Sequence, residues 1–420
     1  MLGGGSPSAQ APAPPPASPQ QQSPAQQQPR EVIRRAFDLI RADVIVRDAN
    51  GQFIADLKKD DFEVFEDDVK QDVVSFLLTH GGRTYNQTAP PPVTMEGIIL
   101  PQAKPTNDAA GRIFALFVDD LHLDFNNTSR IRDLFKRISK ELIHDGDLFC
   151  IISTGPSSIA IDLTYDRKRL DDAITKIAGN GLKPKEIIDA PLGADGPPEI
   201  KYRSHVAFST AYDLLKTLEQ VHDRRKSFIY VSNGYDFNPF PKTRDKAEAE
   251  KWARPNKDDP TQSDVNPDDG VNPFLKRGTT FAEADLVSEL AELTRAANRA
   301  NTSFYTIDPR GLVGGPDLDQ DVDVMEWQDH ILTTQNTLRV LAEQTGGFAI
   351  VNSNNFDKGL KRIDAETSDY YVVGYYSSNP DPLKKTRKID IKVKRPGLQV
   401  RNLRQTYTLK PAQGPQTSSK

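Results

Sequence analysis

The chain has 420 residues, of which 37% are hydrophobic and 27% charged, and its formal net charge is −5. That length suits about two or three domains, and the mixture of both charges gives no general drive toward nucleic acid or an anionic membrane. The single cysteine, Cys150, excludes an intramolecular disulfide and a cysteine-based zinc centre, and no run approaches the roughly 18 apolar residues that a transmembrane helix needs.

Residues 1–32 are rich in Pro and Gln and are expected to form a disordered tail. Within it Ser8-Ala9-Gln10-Ala11 has the A-x-A form of a signal-peptide cleavage site, with no apolar stretch before it. Two readings stand. The tail is either a signal remnant, which places the protein outside the cytoplasm (secreted, periplasmic or in the cell envelope), or low-complexity sequence that holds the pattern by chance. Residues 33–80 read as a small β module. Val44 and Val46 lead into the turn at Asn50-Gly51, a hairpin signal. Phe62 with Val64, and Val73 with Phe76, mark two further strands around the acidic turn Glu66-Asp67-Asp68. Residues 81–110, with many Pro, Thr, Gly and Asn, read as a linker.

Residues 111–366 change character. Ile113 to Val118 is a continuous apolar run, the mark of a strand buried on both faces. Helical spacing follows over 126–143 through Ile131, Leu134, Phe135, Ile138 and Leu142. Leu148 to Ser153 is a second strand, with Cys150 an inert buried residue inside it. Ser158 to Thr164 is a third, and Leu170, Ile174 and Ile177 lie on another helix. The pattern then predicts a helix over 203–222, a strand from Phe228 to Ser232, a helix over 281–300 and a strand from Phe304 to Ile307. A helix over 330–345 is ended by Gly346-Gly347; the strand Phe348 to Val351 and a helix over 355–366 follow. This alternation predicts an α/β, Rossmann-like domain with a mostly parallel six-stranded sheet and helices on both faces. Residues 235–280, rich in Pro, Asn, Asp and Lys, interrupt it as a long loop, either functional or disordered. Residues 367–410 return to β pattern: Tyr371, Val373 and Tyr375 alternate, as do Ile389, Ile391 and Val393, with Lys388, Lys392 and Lys394 on a solvated face. This segment and the N-terminal module are expected to pack on each other, since each needs a partner face. Residues 411–420 are a polar tail.

Catalytic signatures are missing. There is no G-x-S-x-G elbow, no phosphate-binding loop, no G-x-G-x-x-G fingerprint and no H-E-x-x-H pair. Asp317, Asp319, Asp321 and Asp323 have calcium-loop spacing but lack the sharp-turn Gly and the final Glu, so they read as a solvated acidic loop. Asp264, Asn266 and Asp268 make a weaker version of the same pattern. Of the six histidines, His122 and His205 are placed to approach the carboxyl edge of the sheet, while His144 and His222 lie near helix C-termini.

Several stretches, in this order, resemble the von Willebrand factor type A domain family, and more narrowly the VWFA-related proteins of Acidobacterial type. They are Val44-Ile45-Val46-Arg47-Asp48-Ala49-Asn50-Gly51 with Asp60-Asp61-Phe62-Glu63-Val64-Phe65-Glu66-Asp67; Phe114-Ala115-Leu116-Phe117-Val118-Asp119-Asp120; Phe304-Tyr305-Thr306-Ile307-Asp308-Pro309-Arg310-Gly311; Leu341-Ala342-Glu343-Gln344-Thr345-Gly346-Gly347; and Tyr370-Tyr371-Val372-Val373-Gly374-Tyr375. The resemblance covers most of residues 37–410. It implies a metal-ion-dependent adhesion site at the carboxyl edge of the sheet. The signature is D-x-S-x-S after the first strand, a Thr before a middle helix and an Asp after the fourth strand, and a hard cation there takes oxygen ligands.

This chain departs from that signature. Counted from Asp119, the serine positions hold Leu121 and Leu123, which cannot bind metal; counted from Asp120, the series is Asp120, His122 and Asp124. Asn233 stands where the family has Asp, followed by Tyr235 and Asp236, and near the Thr position the chain offers Ser204 and His205. The candidate metal residues are therefore Asp119, Asp120, His122, Asp124, Ser204, Asn233 and Asp236. They would serve one divalent cation (Mg²⁺, Mn²⁺ or Zn²⁺) or none, with an imidazole favouring Zn²⁺ or Mn²⁺. The function implied is non-enzymatic binding of a protein partner outside the cytoplasm, through a degenerate or rebuilt adhesion site and with no nucleic acid involved. The alternatives are a metal-free structural scaffold of an envelope or secretion complex, and a metal-dependent hydrolase using Asp119, Asp120, His122 and Asp124.

Overall fold

A computed structural model describes residues 39–86, 111–188, 198–221, 224–237, 273–316, 322–378, 386–403 and 406–408. The tails 1–32 and 411–420, residues 87–110, most of loop 235–280, His222 and the acidic positions Asp317, Asp319 and Asp321 lie outside the described residues.

In chain order, the N-terminal strands are β1 (Leu39–Arg47), β2 (Phe62–Glu66), β3 (Val69–Gln71), β4 (Val73–His80) and β5 (Arg83–Asn86). The α/β region holds β6 (Ile113–Val118), α1 (Thr128–Arg137), β7 (Leu148–Ser153), β8 (Ala160–Thr164), α2 (Arg167–Lys176), α3 (Pro184–Ile188), α4 (Pro198–Glu219), β9 (Lys226–Val231), α5 (Pro273–Arg299), β10 (Thr302–Ile307), α6 (Val324–Glu343), β11 (Phe348–Ile350) and α7 (Phe356–Ser368). The chain closes with β12 (Tyr370–Tyr376), β13 (Thr386–Val393), β14 (Gln399–Asn402) and β15 (Thr406–Thr408).

Strands β6 to β11 form one six-stranded sheet in the order β11-β10-β9-β6-β7-β8. All pairs are parallel except the antiparallel edge pair β7–β8. This is the doubly wound order, and the chain direction switches between β6 and β9. Alternation along β6 shows why its apolar run is continuous. Phe114, Leu116 and Val118 join one core with Ile131, Leu134 and Phe135 of α1, Leu170 and Ile174 of α2 and Leu360 and Ile363 of α7. Ile113, Ala115 and Phe117 join the other, with Ala207, Phe208 and Leu215 of α4, Leu290 and Leu293 of α5 and Leu338 and Leu341 of α6. The α/β sheet with helices on both faces is thus the architecture the sequence pattern predicts. Most helices start earlier than their apolar spacing suggests: α6 begins at Val324 because Asp323 caps it, accepting from Met325 N at 2.8 Å and Glu326 N at 3.3 Å. Asp323 is in this way a helix cap.

The two β segments interleave. A five-stranded sheet runs β14-β1-β12-β4-β5 and a four-stranded sheet β15-β13-β2-β3, so β12, from beyond the α/β region, is inserted between β1 and β4. Val44, Val46, Phe76, Tyr371 and Val373 of the first sheet share a core with Phe62, Val64, Ile389 and Ile391 of the second. Part of the stretch read as linker is strand. Gly81 and Gly82, at φ +59° and +74°, form a two-residue turn between the paired His80 and Arg83, and β5 follows it. Such paired positive φ angles match the twist of a hairpin.

Candidate functional site

The carboxyl ends of β6 and β9 diverge at the switch point, where open α/β sheets bind ligands. Asp119 follows β6, continues the ladder through its N–H to Val231 O (3.0 Å), and is fully buried. A buried carboxylate must be hydrogen-bonded, and both oxygens of this one have partners. Oδ2 accepts from the hydroxyls of Ser232 (2.7 Å) and Tyr235 (2.8 Å). Oδ1 faces His122 Nδ1 at 2.9 Å and Thr154 Oγ1 at 3.3 Å. The Tyr235 hydroxyl also bonds that of Tyr230. Burial first, and the Asp119 charge second, push both phenols well above their ordinary range, so they persist as donors.

Asp120, equally buried, is held by Thr154 Oγ1 (2.8 Å) on Oδ1 and by Ser157 N–H (2.7 Å) on Oδ2. Thr154 therefore lies between the two carboxylates. Leu123 is buried in the core, and Leu121 packs where a side chain on Gly155 would stand. The positions of the family's serines are thus filled by apolar packing. Asp124 caps a short 3₁₀ turn, accepting from Asn126 N–H at 2.8 Å. Ser204, on α4, returns its hydroxyl to Ile200 O of its own helix (3.0 Å). Asp236 Oδ2 lies 3.3 Å from His330 Nδ1, an ion-pair distance, yet that nitrogen makes no aligned hydrogen bond. Asn233 Oδ1 is buried without a donor. His205 does not join His122: it pairs with Glu289 of α5 at 3.0 Å, on the exposed outer side of α4.

The seven candidates are therefore divided among separate tasks. Among the described residues no three His, Cys, Asp or Glu gather around a common point. All four oxygens of Asp119 and Asp120 already accept from protein hydroxyls, an imidazole or a backbone N–H. That arrangement does not bring several ligand side chains to one position, as a divalent cation requires.

What the candidates do share is a cleft of about 250 Å³ at this edge, lined by His122, Asp124, Ser204, Asn233 and Asp236 together with groups the sequence reading missed. Arg310 is one of those. Its Nε and Nη2 hold the buried Asp308 (both 2.9 Å), and Nη2 also reaches Asn233 O (2.7 Å) and Thr334 Oγ1 (3.0 Å). Arg203 is another, bonded to Glu199 (2.6 Å), Leu121 O (3.1 Å) and Asn180 O (2.5 Å). Trp327 and His330 of α6 complete the wall. The backbones meet closely at the floor: Gly234 has φ +86°, and a Cβ there would lie 2.0 Å from Thr334 O, so only glycine fits.

The rim is apolar. Eleven large apolar side chains are exposed among the described residues; Leu312, Val324 and Leu332 are among them, and Phe125, Tyr202 and Met325 stand next in sequence to Asp124, Arg203 and Val324, which line the cleft or its adjoining hollow. Leu312 lines the cleft, and Val324 and Leu332 line an adjoining hollow that shares Trp327 with it.

No family model matches the sequence, and no curated protein is similar to it in sequence. Solved structures with a similar chain path include the manganese-loaded TRAP protein of Plasmodium vivax, 10% identical at a TM-score of 0.31, covering 70% of this chain and 93% of that one. The vWF domain of the type V pili tip protein Mfa5 from Porphyromonas gingivalis is 12% identical at a TM-score of 0.31, covering 60% of this chain and 94% of that one. The human COPII-coat protein Sec24c is 8% identical at 0.28, covering 70% of this chain and 43% of that one. At such scores these likenesses carry no functional argument; the α/β fold rests on the sheet order and on the cores of its two faces.

Proposed function

We propose that this protein is a non-enzymatic binding protein of von Willebrand A type that engages a protein partner at the carboxyl edge of its central sheet. The observation that carries this reading is the apolar rim. Exposed Leu312, Val324 and Leu332 at the cleft and its adjoining hollow, with polar groups inside, have the composition of a protein interface. The cleft, at about 250 Å³, lies below the ~300–1,000 Å³ typical of small-molecule pockets, which suits one inserted side chain better than a whole small substrate. The hydrolase alternative needs Asp119 or Asp120 within reach of substrate, and both are fully buried. Binding proceeds without a metal ion, as the scaffold alternative also expects; the separate hydrogen-bonding tasks of the candidate residues, which do not gather at one point, support this. Action outside the cytoplasm is supported by the Ala9-Gln10-Ala11 pattern ahead of a Pro-rich stretch. Recovery of the protein only from the cytosol of its source cells would overturn that part.

The test of the binding reading is selection from a displayed random-peptide library. Selected peptides are expected to bind the native chain and to lose about tenfold in affinity, or ~1.4 kcal/mol, with Leu312→Glu/Met325→Glu. They should be unaffected by Val69→Glu/Tyr85→Glu, which alters exposed positions of the β segments. Failure to enrich any peptide, or peptides indifferent to the edge variant, would overturn the reading.

A further inference from the structure

We propose that the opposite, amino end of the central sheet holds a site for one free tetrahedral oxyanion, phosphate or sulfate. A hollow of about 60 Å³ lies there, between the α/β region and the five-stranded sheet. Arg112 enters it just before β6, and Arg224 and Arg225 just before β9. From the other side come Arg41 and Asp43 of β1 and Thr79 of β4. These alternate along their strands with Ala42, Val44 and Leu78, which belong to the core shared with the four-stranded sheet, so they stand on the face turned away from that core.

The lining brings together four guanidinium groups and one carboxylate, Asp43. Arg112 is matched by Asp147 (2.7 Å) and Asp364 (2.6 Å), both outside the hollow. Arg41 and Arg224 have other contacts as well, so the demand for an anion rests on Arg225. Its side chain is 3% exposed. Its terminal nitrogens donate to uncharged oxygens: Glu366 O (2.8 Å), Tyr305 Oη (2.7 Å) and Ser303 Oγ (3.4 Å). Its Nε has no hydrogen-bond partner, because Asp43 stands beyond that reach at 3.8 Å. The Glu366 carboxylate is taken by Arg362 and Arg401. A buried donor is rarely left without an acceptor, and a guanidinium cannot shed its proton to escape burial. Burial also lowers the neighbouring Arg224 guanidinium from its ordinary value, which an anion beside it would reverse. Water could accept from Nε but brings no charge. An oxyanion brings both, and guanidinium–oxyanion bonds are charge-assisted. Thr79, Thr84 and Ser227 add hydroxyls to the lining that can donate to further oxygens. The size agrees. A water-sized sphere needs roughly 10–15 Å³ on this measure, so the hollow admits about four to six oxygens. That suits a tetrahedral oxyanion and excludes a nucleotide.

The test uses the full chain, labelled with ¹⁵N and held at constant ionic strength with chloride. Phosphate and sulfate are each expected to shift the Arg225 Nε–H signal saturably in the millimolar range or below. Sulfate stabilises proteins in general by its exclusion from their surface, so this local signal is the readout and the thermal midpoint is not. Arg224→Gln, at a half-buried position, should weaken both ions about tenfold with the remaining spectrum unchanged. Arg137→Gln, an exposed arginine of α1 paired with Asp357, should leave their binding as it is. O-phosphoserine, whose carbon part exceeds the hollow, should bind at least about tenfold more weakly than phosphate. No saturable shift with either ion, equal binding by Arg224→Gln, or equal weakening by Arg137→Gln would overturn the oxyanion site. Equal binding of O-phosphoserine would overturn the free ion as occupant. None of these results bears on partner binding at the carboxyl edge.

Discussion

Tyr235→Phe removes one oxygen and with it two buried hydrogen bonds at the carboxyl edge of the sheet. The Tyr235 hydroxyl donates to Asp119 Oδ2 at 2.8 Å and bonds the Tyr230 hydroxyl, and all three groups are buried. A hydrogen bond to a charged group contributes about 1.5–3 kcal/mol, and a buried hydroxyl left without a partner costs ~1–3 kcal/mol. Asp119 keeps Ser232 and His122, and relaxation of Tyr230 recovers part of the second term, so the expected loss of stability is about 2–4 kcal/mol. Denaturant unfolding followed by tryptophan fluorescence measures it, as a lower midpoint with an unchanged slope. Tyr202→Phe, at an exposed position on the rim, should stay within ~0.5 kcal/mol of the parent. A loss below about 0.5 kcal/mol for Tyr235→Phe would refute the reasoning. So would a loss that Mg²⁺ or Mn²⁺ restores, because the ion would then be binding the Asp119 carboxylate.

Other expectations follow from burial and pairing elsewhere. Burial pushes the Cys150 thiol up to about 12, so the folded protein should not react with an aromatic disulfide reagent at pH 8, and one equivalent should appear on denaturation. Tyr371 bonds Ile54 O (2.8 Å) and Leu57 N–H (3.1 Å), and burial raises its phenol to about 12. The folded state then holds that proton where the unfolded chain, near pH 10, has released it. Stability present below pH 10 should therefore decline as the pH rises toward 12, and Tyr371→Phe should remove that part of the decline in alkaline unfolding curves. Arg112→Met breaks the buried pair with Asp147 (2.7 Å) and the bond to Asp364 (2.6 Å). Leaving Asp147 buried without its cation should cost about 3–5 kcal/mol, seen as a lower thermal midpoint.

The central domain could be read from the sequence because its signals are local. The continuous run at Ile113 to Val118 and the 3.6-residue spacing at Ile131, Leu134 and Phe135 each need only their own neighbours to be recognised. The insertion of β12 between β1 and β4 could not be read in this way, since Tyr371 and Leu78 pair across almost 300 residues, and alternation shows that a strand exists without showing where it pairs. At the site, the sequence placed Asp119, Asp120, His122 and Asn233 at the right edge. It did not show what each side chain bonds to. Thr154, Ser157 and Ser232 are common residue types at ordinary strand ends, and their convergence on two carboxylates arises only when β6, β7 and β9 lie side by side. Arg310 had a visible signal, standing two residues after Asp308 at the end of β10, but its task depends on a backbone carbonyl of Asn233, in the loop that follows β9.

The central claim is that the carboxyl edge binds its partner without a metal ion, and calorimetric titration of the chelator-stripped chain with Mg²⁺ and Mn²⁺, beside Asp120→Ala, tests it most directly. The account predicts no saturable heat with either ion for either protein. Stoichiometric binding by the native chain that Asp120→Ala abolishes would contradict it and show the buried carboxylates to be ligands.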